Sequence, residues 1–502
     1  MTFGNTKTEK TGTSTSDATE TAHIKSVESL DQSNEMERGL KNRHVQFIAI
    51  GGTIGTGLFL GSGKSIALTG PSIIFVYIGV GLIMFLLMRA IGEMMYSDPS
   101  QHTFINFITR YLGRGWGKFA GWTYWAALVL LGMTEITAVS TYFITFFDTF
   151  GIDLTHWKWL IELCFLVSLV SINLIAVKVF GEVEFWFSMI KITLICAMIA
   201  TAVVMIVIGY HYPAVQIHGV DHVSPAGHAG FDNLFANFSF APNGWMAFLM
   251  SFQMVFFAYE MIEFVGVTVS ETKNPRKVLP KAINEIIVRV LIFYVGALVA
   301  IMCITPWSDI DPETSPFVHT FVAVGIPAAA SIVNFVVLTS AASSANSGIY
   351  STSRMLYGLS LVGVAPKAFG RLSSSRVPAN GLLFSCLCLL IGASMLIIMP
   401  TIMAAFTVMT TISSVCFIFV WSMILYSYVV YRKRHPERHE TSKFKLPGGV
   451  FSCWICWIFF AVVLVLLTFE ADTRMAMFTT PIWFIILGIG YFMSHKNHVS
   501  KR

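Results

Sequence analysis

The chain has 502 residues, of which 55% are hydrophobic and only 12% are charged, and its formal net charge is +5. Soluble proteins carry about 25% charged residues, whereas the apolar residues here form long blocks that reach the ~18 residues a helix needs to cross a bilayer. The composition therefore excludes an ordinary soluble domain and predicts an all-α membrane protein.

The first 37 residues are polar and contain no apolar run. A secretory signal requires such a run, so we interpret residues 1–37 as a disordered cytoplasmic tail. Residues 38–498 are predicted to form a transmembrane domain with 12 transmembrane helices. The predicted spans are 45–62, 73–96, 119–146, 159–177, 185–209, 244–269, 283–305, 327–353, 379–398, 402–430, 449–469 and 478–494.

Span 1 contains the stretch GGTIGTGLFLGSG, residues 51–63. Each glycine weakens a helix interior by up to ~1 kcal/mol. One interpretation is a helix broken near mid-membrane, where free backbone N–H and C=O groups face charged groups of a ligand. The other is close helix packing, because Gly51–Gly55 and Gly57–Gly61 have GxxxG spacing.

Ionisable residues inside the predicted spans are few, and each is costly in hydrocarbon. Glu93, at the cytoplasmic end of span 2, either pairs with Arg89 or takes part in proton movement. Glu135 in span 3 and Lys191 in span 5 lie deep, and buried acids and amines are typical parts of proton relays. The hydroxyl-rich stretch TSAASSANSG in span 8 serves either close packing or a pocket wall.

Span 6 carries two acids, Glu260 and Glu263, within FFAYEMIEF. Spans 1 and 6 occupy corresponding positions in two groups of five helices, and paired interruptions of this kind indicate a transporter built from inverted repeats. The predicted repeats are residues 45–209 and 244–430, with the helices of 449–494 peripheral.

The basic residues predict the orientation in the membrane. Of 33 Lys and Arg residues, 27 fall in the two terminal segments and in every second loop, and three fall in the alternate loops. Cytoplasmic segments are enriched in Lys and Arg, so we expect a multi-pass plasma-membrane protein with both termini in the cytoplasm. The positive charge then reflects orientation and attraction to anionic lipid, and no nucleic-acid partner is expected.

Signals for enzyme chemistry are weak. Cys453 and Cys456 form a CxxC motif in span 11, but no second pair or nearby histidine completes a metal site. No nucleophile–base pair stands out near the membrane. The sequence therefore predicts that the protein is not an enzyme and needs no metal or cofactor.

Several blocks of the chain resemble a known family. IAIGGTIGTGLFLGSG, VKVFGEVEFWFSMIKI, ETKNPRKVLPKAIN and TSAASSANSGIYSTSRMLYGL are similar to segments of bacterial amino acid permeases of the amino acid–polyamine–organocation (APC) superfamily. Within that group the chain looks most like the D-serine/D-alanine/glycine permeases. The resemblance implies a five-plus-five inverted-repeat (LeuT-like) fold in which helices 1 and 6 are discontinuous at the substrate.

The resemblance also implies site residues. The amides of Gly55, Thr56 and Gly57 would hold the substrate carboxylate, and backbone carbonyls of spans 1 and 6 would receive its ammonium group. The substrate-binding residues expected on this basis are Thr53, Ile54, Gly55, Thr56, Gly57, Phe257, Ala258, Tyr259, Glu260 and Met261. The expected proton-coupling residues are Lys191, Glu135, Glu263 and Glu93.

One departure from the family pattern affects substrate choice. Relatives usually read FxFxGxE in span 6, whereas Met261 replaces the glycine here and Glu260 is an additional acid. The leading interpretation is proton symport of alanine, serine and glycine, in D or L forms, by alternating access. The alternatives are an exchanger, a permease for a larger or cationic amino acid selected by Glu260, or an amino acid sensor. The sequence carries no signal for an oligomeric state.

Overall fold

A computed structural model describes residues 54–98, 103–148, 150–175, 177–216, 223–235, 239–266, 275–312, 314–398 and 402–499. The predicted tail, Thr53 and the first part of span 1 therefore lie outside the described residues. Within the described ranges the chain is overwhelmingly helical, as its apolar blocks predict.

Seven helices precede the longest loop between helices. They are α1 (Thr56–Phe59), α2 (Gly61–Thr69), α3 (Ile73–Ser97), α4 (Phe104–Leu112), α5 (Arg114–Asp148), α6 (Lys158–Ile175) and α7 (Val177–Val207). The loop after α7 contains two short antiparallel ladders. In one, β1 (His211–Tyr212) pairs with β4 (Gly227–His228), and in the other β2 (Val215–Gln216) pairs with β3 (Val223–Ser224).

The second part of the chain is also helical. Its helices are α8 (Asp232–Phe235), α9 (Gly244–Phe257), α10 (Pro275–Arg289), α11 (Ala297–Ile304), α12 (Pro316–Ala323), α13 (Pro327–Leu361), α14 (Ala379–Ile398), α15 (Ile402–Arg434), α16 (Pro436–Thr441), α17 (Val450–Leu466) and α18 (Ala471–Val499). A π-helical stretch, Val290–Gly296, connects α10 to α11.

Eight helical stretches of the described chain are long and apolar enough to cross a membrane. They are Gly61–Ser97, Arg114–Asp148, Thr155–Ile175, Phe180–Val207, Arg276–Ile304, Ala329–Leu361, Met403–Arg434 and Ala471–Tyr491. Three shorter apolar helices, Gly244–Phe257, Ala379–Ile391 and Val450–Leu466, lie where spans 6, 9 and 11 are predicted. The chain is therefore a multi-pass membrane protein.

Helix α5 lies at the centre of the molecule. It packs against α13 and α15 and also contacts α4, α6 and α14. Most of its residues from Ala120 to Tyr142 are buried, so a polar group on this helix faces protein rather than lipid. This burial is what allows α5 to carry an acid in mid-helix.

The structure adds helices in regions that the sequence analysis treated as loops, among them α4, α8, α12 and α16. Helix α4 follows predicted span 2 and is too short to cross a membrane. Its buried residues Phe104, Phe107, Ile108 and Tyr111 recur at helical spacing, which gives it one apolar face. That face packs against α5 and α15, so the amphipathic pattern was present in the sequence but fell between two stronger apolar blocks.

Candidate functional site

The described part of span 1 begins with non-helical backbone. Gly55 is extended, with φ −130° and ψ −157°, and α1 starts at Thr56. A Cβ atom on Gly57 would lie 2.5 Å from Ala258 Cα, and one on Gly61 would lie 2.7 Å from Met254 Cγ. Gly57 and Gly61 therefore allow close packing on span 6, and the extended Gly55 is what the broken-helix interpretation expects at this position. The residues before Ile54 lie outside the described ranges.

Span 6 also leaves the helical conformation. Helix α9 ends at Phe257, and the chain continues through successive turns in which backbone N–H groups bond carbonyls three residues earlier. Met261 lies within these turns with φ +63°. This left-handed region is uncommon for residues other than glycine, because the Cβ atom approaches the backbone.

A cavity of about 280 Å³ lies between the two non-helical segments. Helices α5 and α13 complete its wall. The lining residues are Gly55, Gly57, Leu131, Glu135, Phe257, Ala258, Glu260, Met261 and Ser344. The cavity is small, and its lining combines both non-helical segments with the acids Glu135 and Glu260.

Glu260 both lines this cavity and bonds to the protein. Its Oε2 accepts a hydrogen bond from Ser413 Oγ at 2.6 Å, and its Oε1 accepts one from Ser414 Oγ at 2.6 Å. The two serines are adjacent on α15 and are fully buried. The carboxylate of this lining residue is therefore held in place by two neutral donors from α15.

Glu263 has a different environment. Its oxygens accept hydrogen bonds from Tyr124 Oη on α5, at 2.9 Å, and from Trp421 Nε1 on α15, at 3.2 Å. The residue is fully buried and is not part of the cavity lining. It connects span 6 to two long helices just behind the cavity.

Glu135 faces the broken part of span 1. A Cβ atom on Gly55 would lie 2.9 Å from Glu135 Oε1 and 2.8 Å from Ser344 Oγ, so glycine is required for this close approach. Glu135 Oε2 is buried and has no hydrogen-bond partner among the described residues. The hydroxyl and the backbone N–H of Thr56 lie near this carboxylate, so Glu135 lies against the start of α1.

Lys191 lies behind the same segment. Its Nζ donates a hydrogen bond to the carbonyl of Ile54 at 3.0 Å, and the side chain is fully buried. Glu184 and Glu135 both interact with it electrostatically, and Glu184 in turn accepts a hydrogen bond from Ser343 at 2.6 Å. One buried amine thus links α7 to the break in span 1.

Glu93 is not brought to the cavity. Its oxygens accept hydrogen bonds from Tyr428 Oη, at 2.7 Å, from His439 Nδ1, at 2.5 Å, and from the backbone N–H of Leu446, at 2.7 Å. The sequence analysis offered Arg89 as a partner, but Arg89 donates to the carbonyl of Lys445 instead. Glu93 therefore holds the segment after α15 against the end of α3.

The remaining predicted residues lie close by. Ile54, Thr56 and Tyr259 are buried next to the cavity-lining residues, although none of them is in the lining itself. Tyr259 Oη donates to the carbonyl of Tyr77 at 2.8 Å, which directs its side chain toward α3. Thr53 lies outside the described residues.

Comparison with known proteins identifies the family. The amino acid permease family model matches residues 44–502. The D-serine/D-alanine/glycine transporter of Escherichia coli (strain K12) is 50% identical over 466 residues, which cover 93% of this chain and 96% of that protein. The DL-alanine permease SerP2 of Lactococcus lactis subsp. cremoris (strain MG1363) is 44% identical over 458 residues, covering 91% and 95% of the two chains.

The chain belongs to the amino acid permease family. The amino acid permease AapA of Bacillus subtilis (strain 168), 46% identical over 482 residues, extends the match to 95% of this chain and 99% of that protein. Membership makes the protein a membrane transporter rather than an enzyme. The resemblance stated from the sequence motifs is therefore confirmed.

Several residues of the permease site were missed by the sequence analysis. Leu131 lines the cavity, and Ser413 and Ser414 hold Glu260. Ser344 was not missed, because it belongs to TSAASSANSG, for which the sequence offered a pocket wall, and it lines the cavity. The serines belong to TTISS, a cluster of hydroxyl residues inside an apolar span. Such clusters bond to their own helix as often as to a ligand, so only the structure assigns them a partner.

Proposed function

We propose that the permease is a secondary active transporter that imports small neutral amino acids by proton symport. Alanine, serine and glycine, in D or L forms, are the proposed substrates. The observation that carries this proposal is the small cavity between the extended start of α1 and the turns of span 6, with the acid Glu135 facing the extended Gly55. The relatives support it, because their names include D-serine, D-alanine and glycine and DL-alanine.

The substrate carboxylate is placed by the proposal at the backbone amides of Gly55, Thr56 and Gly57. Free N–H groups at a helix start attract an anion. Carbonyls of the broken segments of spans 1 and 6 receive the ammonium group, and Met261 limits the size of the substrate side chain. The backbone carbonyls proposed to receive the ammonium group are those of Thr53, Phe257, Ala258 and Glu260.

The proton requirement follows from like charges. A substrate carboxylate at the Gly55 amide would lie beside the Glu135 carboxylate, and two negative charges repel strongly in a site with little water. Protonation of Glu135 removes this repulsion and lets its carboxyl group donate a hydrogen bond to the substrate. Substrate and proton therefore bind more tightly together than either does alone.

The protonation state of Lys191 affects the position of span 1. In the cationic form it donates to the Ile54 carbonyl and offsets the charges of Glu184 and Glu135. Loss of its proton weakens both interactions, which favours a different position of span 1. Glu263, bonded to α5 and α15, transmits movement of span 6 to those helices.

The wider architecture is proposed on the same basis. Twelve spans, with residues 45–209 and 244–430 as inverted repeats, place the two breaks at corresponding positions. The excess of Lys and Arg in alternate loops supports cytoplasmic termini. Opening of the cavity to each side in turn then gives alternating access.

One observation favours a second candidate. Glu260 places a carboxylate at the cavity, and a carboxylate attracts a lysine or arginine side chain. Export in exchange for a second amino acid would also use such a site. The small cavity disfavours a long cationic substrate, because the side chains of lysine and arginine have several more heavy atoms than that of alanine.

Uptake by purified protein in liposomes tests the proposal. With an acidic exterior, labelled alanine should accumulate inside, and a protonophore should abolish the accumulation. Unlabelled serine and glycine, but not lysine or arginine, should compete. Uptake that is indifferent to the pH gradient, or that lysine inhibits more strongly than serine does, would contradict it.

A further inference from the structure

We propose that the Glu260 carboxylate, positioned by Ser413 and Ser414, is the group that receives the substrate's α-ammonium. This inference rests on the proposed function and deepens it. It assigns a side chain to a task that the resemblance gives to backbone carbonyls alone.

The first argument is the geometry of the carboxylate. Each of its oxygens accepts one hydrogen bond of 2.6 Å from a serine of α15. An ionised carboxylate has about four acceptor sites, so each oxygen retains capacity for a further donor. An ammonium group has three N–H donors and can use that capacity.

The second argument is the charge around Glu260. No Lys, Arg or His nitrogen lies within 4.0 Å of it among the residues that the structure describes. Among the described residues, the charged side chains near enough to affect it are Glu263 and Glu135, both acids. A buried carboxylate with only acidic neighbours requires a cation beside it or a proton on it. Every α-amino acid substrate brings such a cation.

The third argument is the state of the nearby carbonyls. The Ala258 carbonyl accepts a hydrogen bond from Tyr294 Oη at 3.0 Å, and the Phe257 carbonyl accepts one from the backbone N–H of Glu260 at 3.0 Å. Each therefore has one of its two acceptor positions filled. The Glu260 carboxylate is the stronger acceptor for a cation, because charge-assisted hydrogen bonds are about twice as strong as neutral ones.

The size of the cavity indicates which cation Glu260 binds. It favours the α-ammonium group of a small substrate over a cationic side chain. The cavity is small, which favours a small amino acid over one with a long cationic side chain. With the substrate carboxylate at the extended start of α1, the ammonium group of such a substrate reaches the span 6 side of the cavity. Glu260 lies on that side.

The test is the affinity of purified protein for alanine, measured by calorimetry on the wild type and on Glu260→Gln. Glutamine keeps the shape but not the charge, so alanine should bind at least ~10-fold more weakly. Glu162→Gln is the matched control. Glu162 is also a buried acid that accepts a hydroxyl hydrogen bond, from Thr137 at 3.3 Å, but it does not line the cavity. Its variant should bind alanine as the wild type does.

A second variant keeps Glu260 and removes its two donors. Ser413→Ala/Ser414→Ala should raise the KM for alanine uptake and leave the maximal rate within about twofold, because the carboxylate loses its position and not its charge. A lowered maximal rate with an unchanged KM would instead assign the serines to helix packing. This variant also tests the inference if Glu260→Gln does not fold.

Three results would overturn the assignment. The first is wild-type affinity for alanine in Glu260→Gln. The second is a loss of alanine affinity in Glu162→Gln that equals the loss in Glu260→Gln. The third is displacement of alanine by lysine from the wild type but not from Glu260→Gln, which would assign the carboxylate to a substrate side chain. If the wild type binds neither alanine, serine nor glycine, the proposed function itself fails, and this failure is distinguishable from the other three.

Discussion

At the residue scale, two positions in the broken helices explain why the cavity has its shape. Gly57 permits span 1 to touch the backbone of span 6, and Met261 turns the chain of span 6 in a left-handed conformation. The family pattern has glycine at the position of Met261, and glycine adopts the left-handed conformation without strain. The sequence motif and the backbone angle thus give the same account of why glycine is usual there.

Gly57→Ala should reduce alanine uptake at least ~10-fold, because its Cβ would lie 2.5 Å from Ala258 Cα and backbone must move to admit it. Uptake rates in proteoliposomes measure the effect. Gly79→Ala is the control, since nothing lies within 4 Å of a Cβ atom built there. Equal uptake by both variants would mean that the contact between the two broken helices is not needed for transport.

Met261→Gly should broaden the substrate range. A left-handed residue costs about 1–2 kcal/mol, while loss of a buried side chain costs about 1.5–3 kcal/mol, so stability should change little. Because its cavity is larger, Met261→Gly should be inhibited by leucine about tenfold more strongly than the wild type in alanine uptake.

Arg376 provides the control for Met261, because it also has a positive φ, of 55°, but lies exposed on a loop. Arg376→Gly should relieve its strain and leave the competition by leucine unchanged. If Met261→Gly and the wild type show the same competition profile, Met261 does not limit substrate size.

At the element scale, α15 is the helix that the acids of span 6 use for support. It supplies Ser413, Ser414 and Trp421 as donors to Glu260 and Glu263. Beyond these residues its C-terminal part holds the connection to α16 through Glu93. A single helix therefore contacts both the cavity region and the connection to α16.

Glu93→Gln should destabilise the protein by about 2 kcal/mol, because three donors, from Tyr428, His439 and Leu446, lose a charged acceptor. Thermal unfolding in detergent measures this loss. Asp98→Asn at the end of the same helix removes only a partly exposed ion pair and should cost less than ~1 kcal/mol. If Glu93→Gln kept its stability but lost proton-coupled uptake, Glu93 would act in proton transfer and not in holding the structure together.

The sequence predicted the helical membrane architecture and the family well, because apolar blocks and glycine-rich motifs are local signals. It also selected Gly55, Glu135 and Glu260, three residues that the structure brings to one cavity. It did not find the partners of Glu260, since the bond to α15 joins residues more than 150 positions apart. It also missed the π-helical stretch within span 7, which has no glycine or proline before Gly296 to signal it.

At the scale of the whole molecule, the proposed mechanism brings charged side chains from three helices to the extended start of span 1. Glu135 comes from α5, Lys191 from α7, Glu260 from span 6, and Gly55 from the extended start of span 1. Only Lys191 among them is basic. The site therefore has an excess of acid that is relieved by protons or by the substrate ammonium, and this excess is the physical basis for coupling.

The most direct test of this account is proton movement driven by substrate. Liposomes that contain the purified protein and an internal pH-sensitive dye are given alanine outside, with no initial pH gradient. The account predicts that alanine acidifies the interior of wild-type liposomes, and that Lys191→Ala gives no acidification and no uphill accumulation. Entry of labelled alanine into wild-type liposomes without any acidification would contradict it.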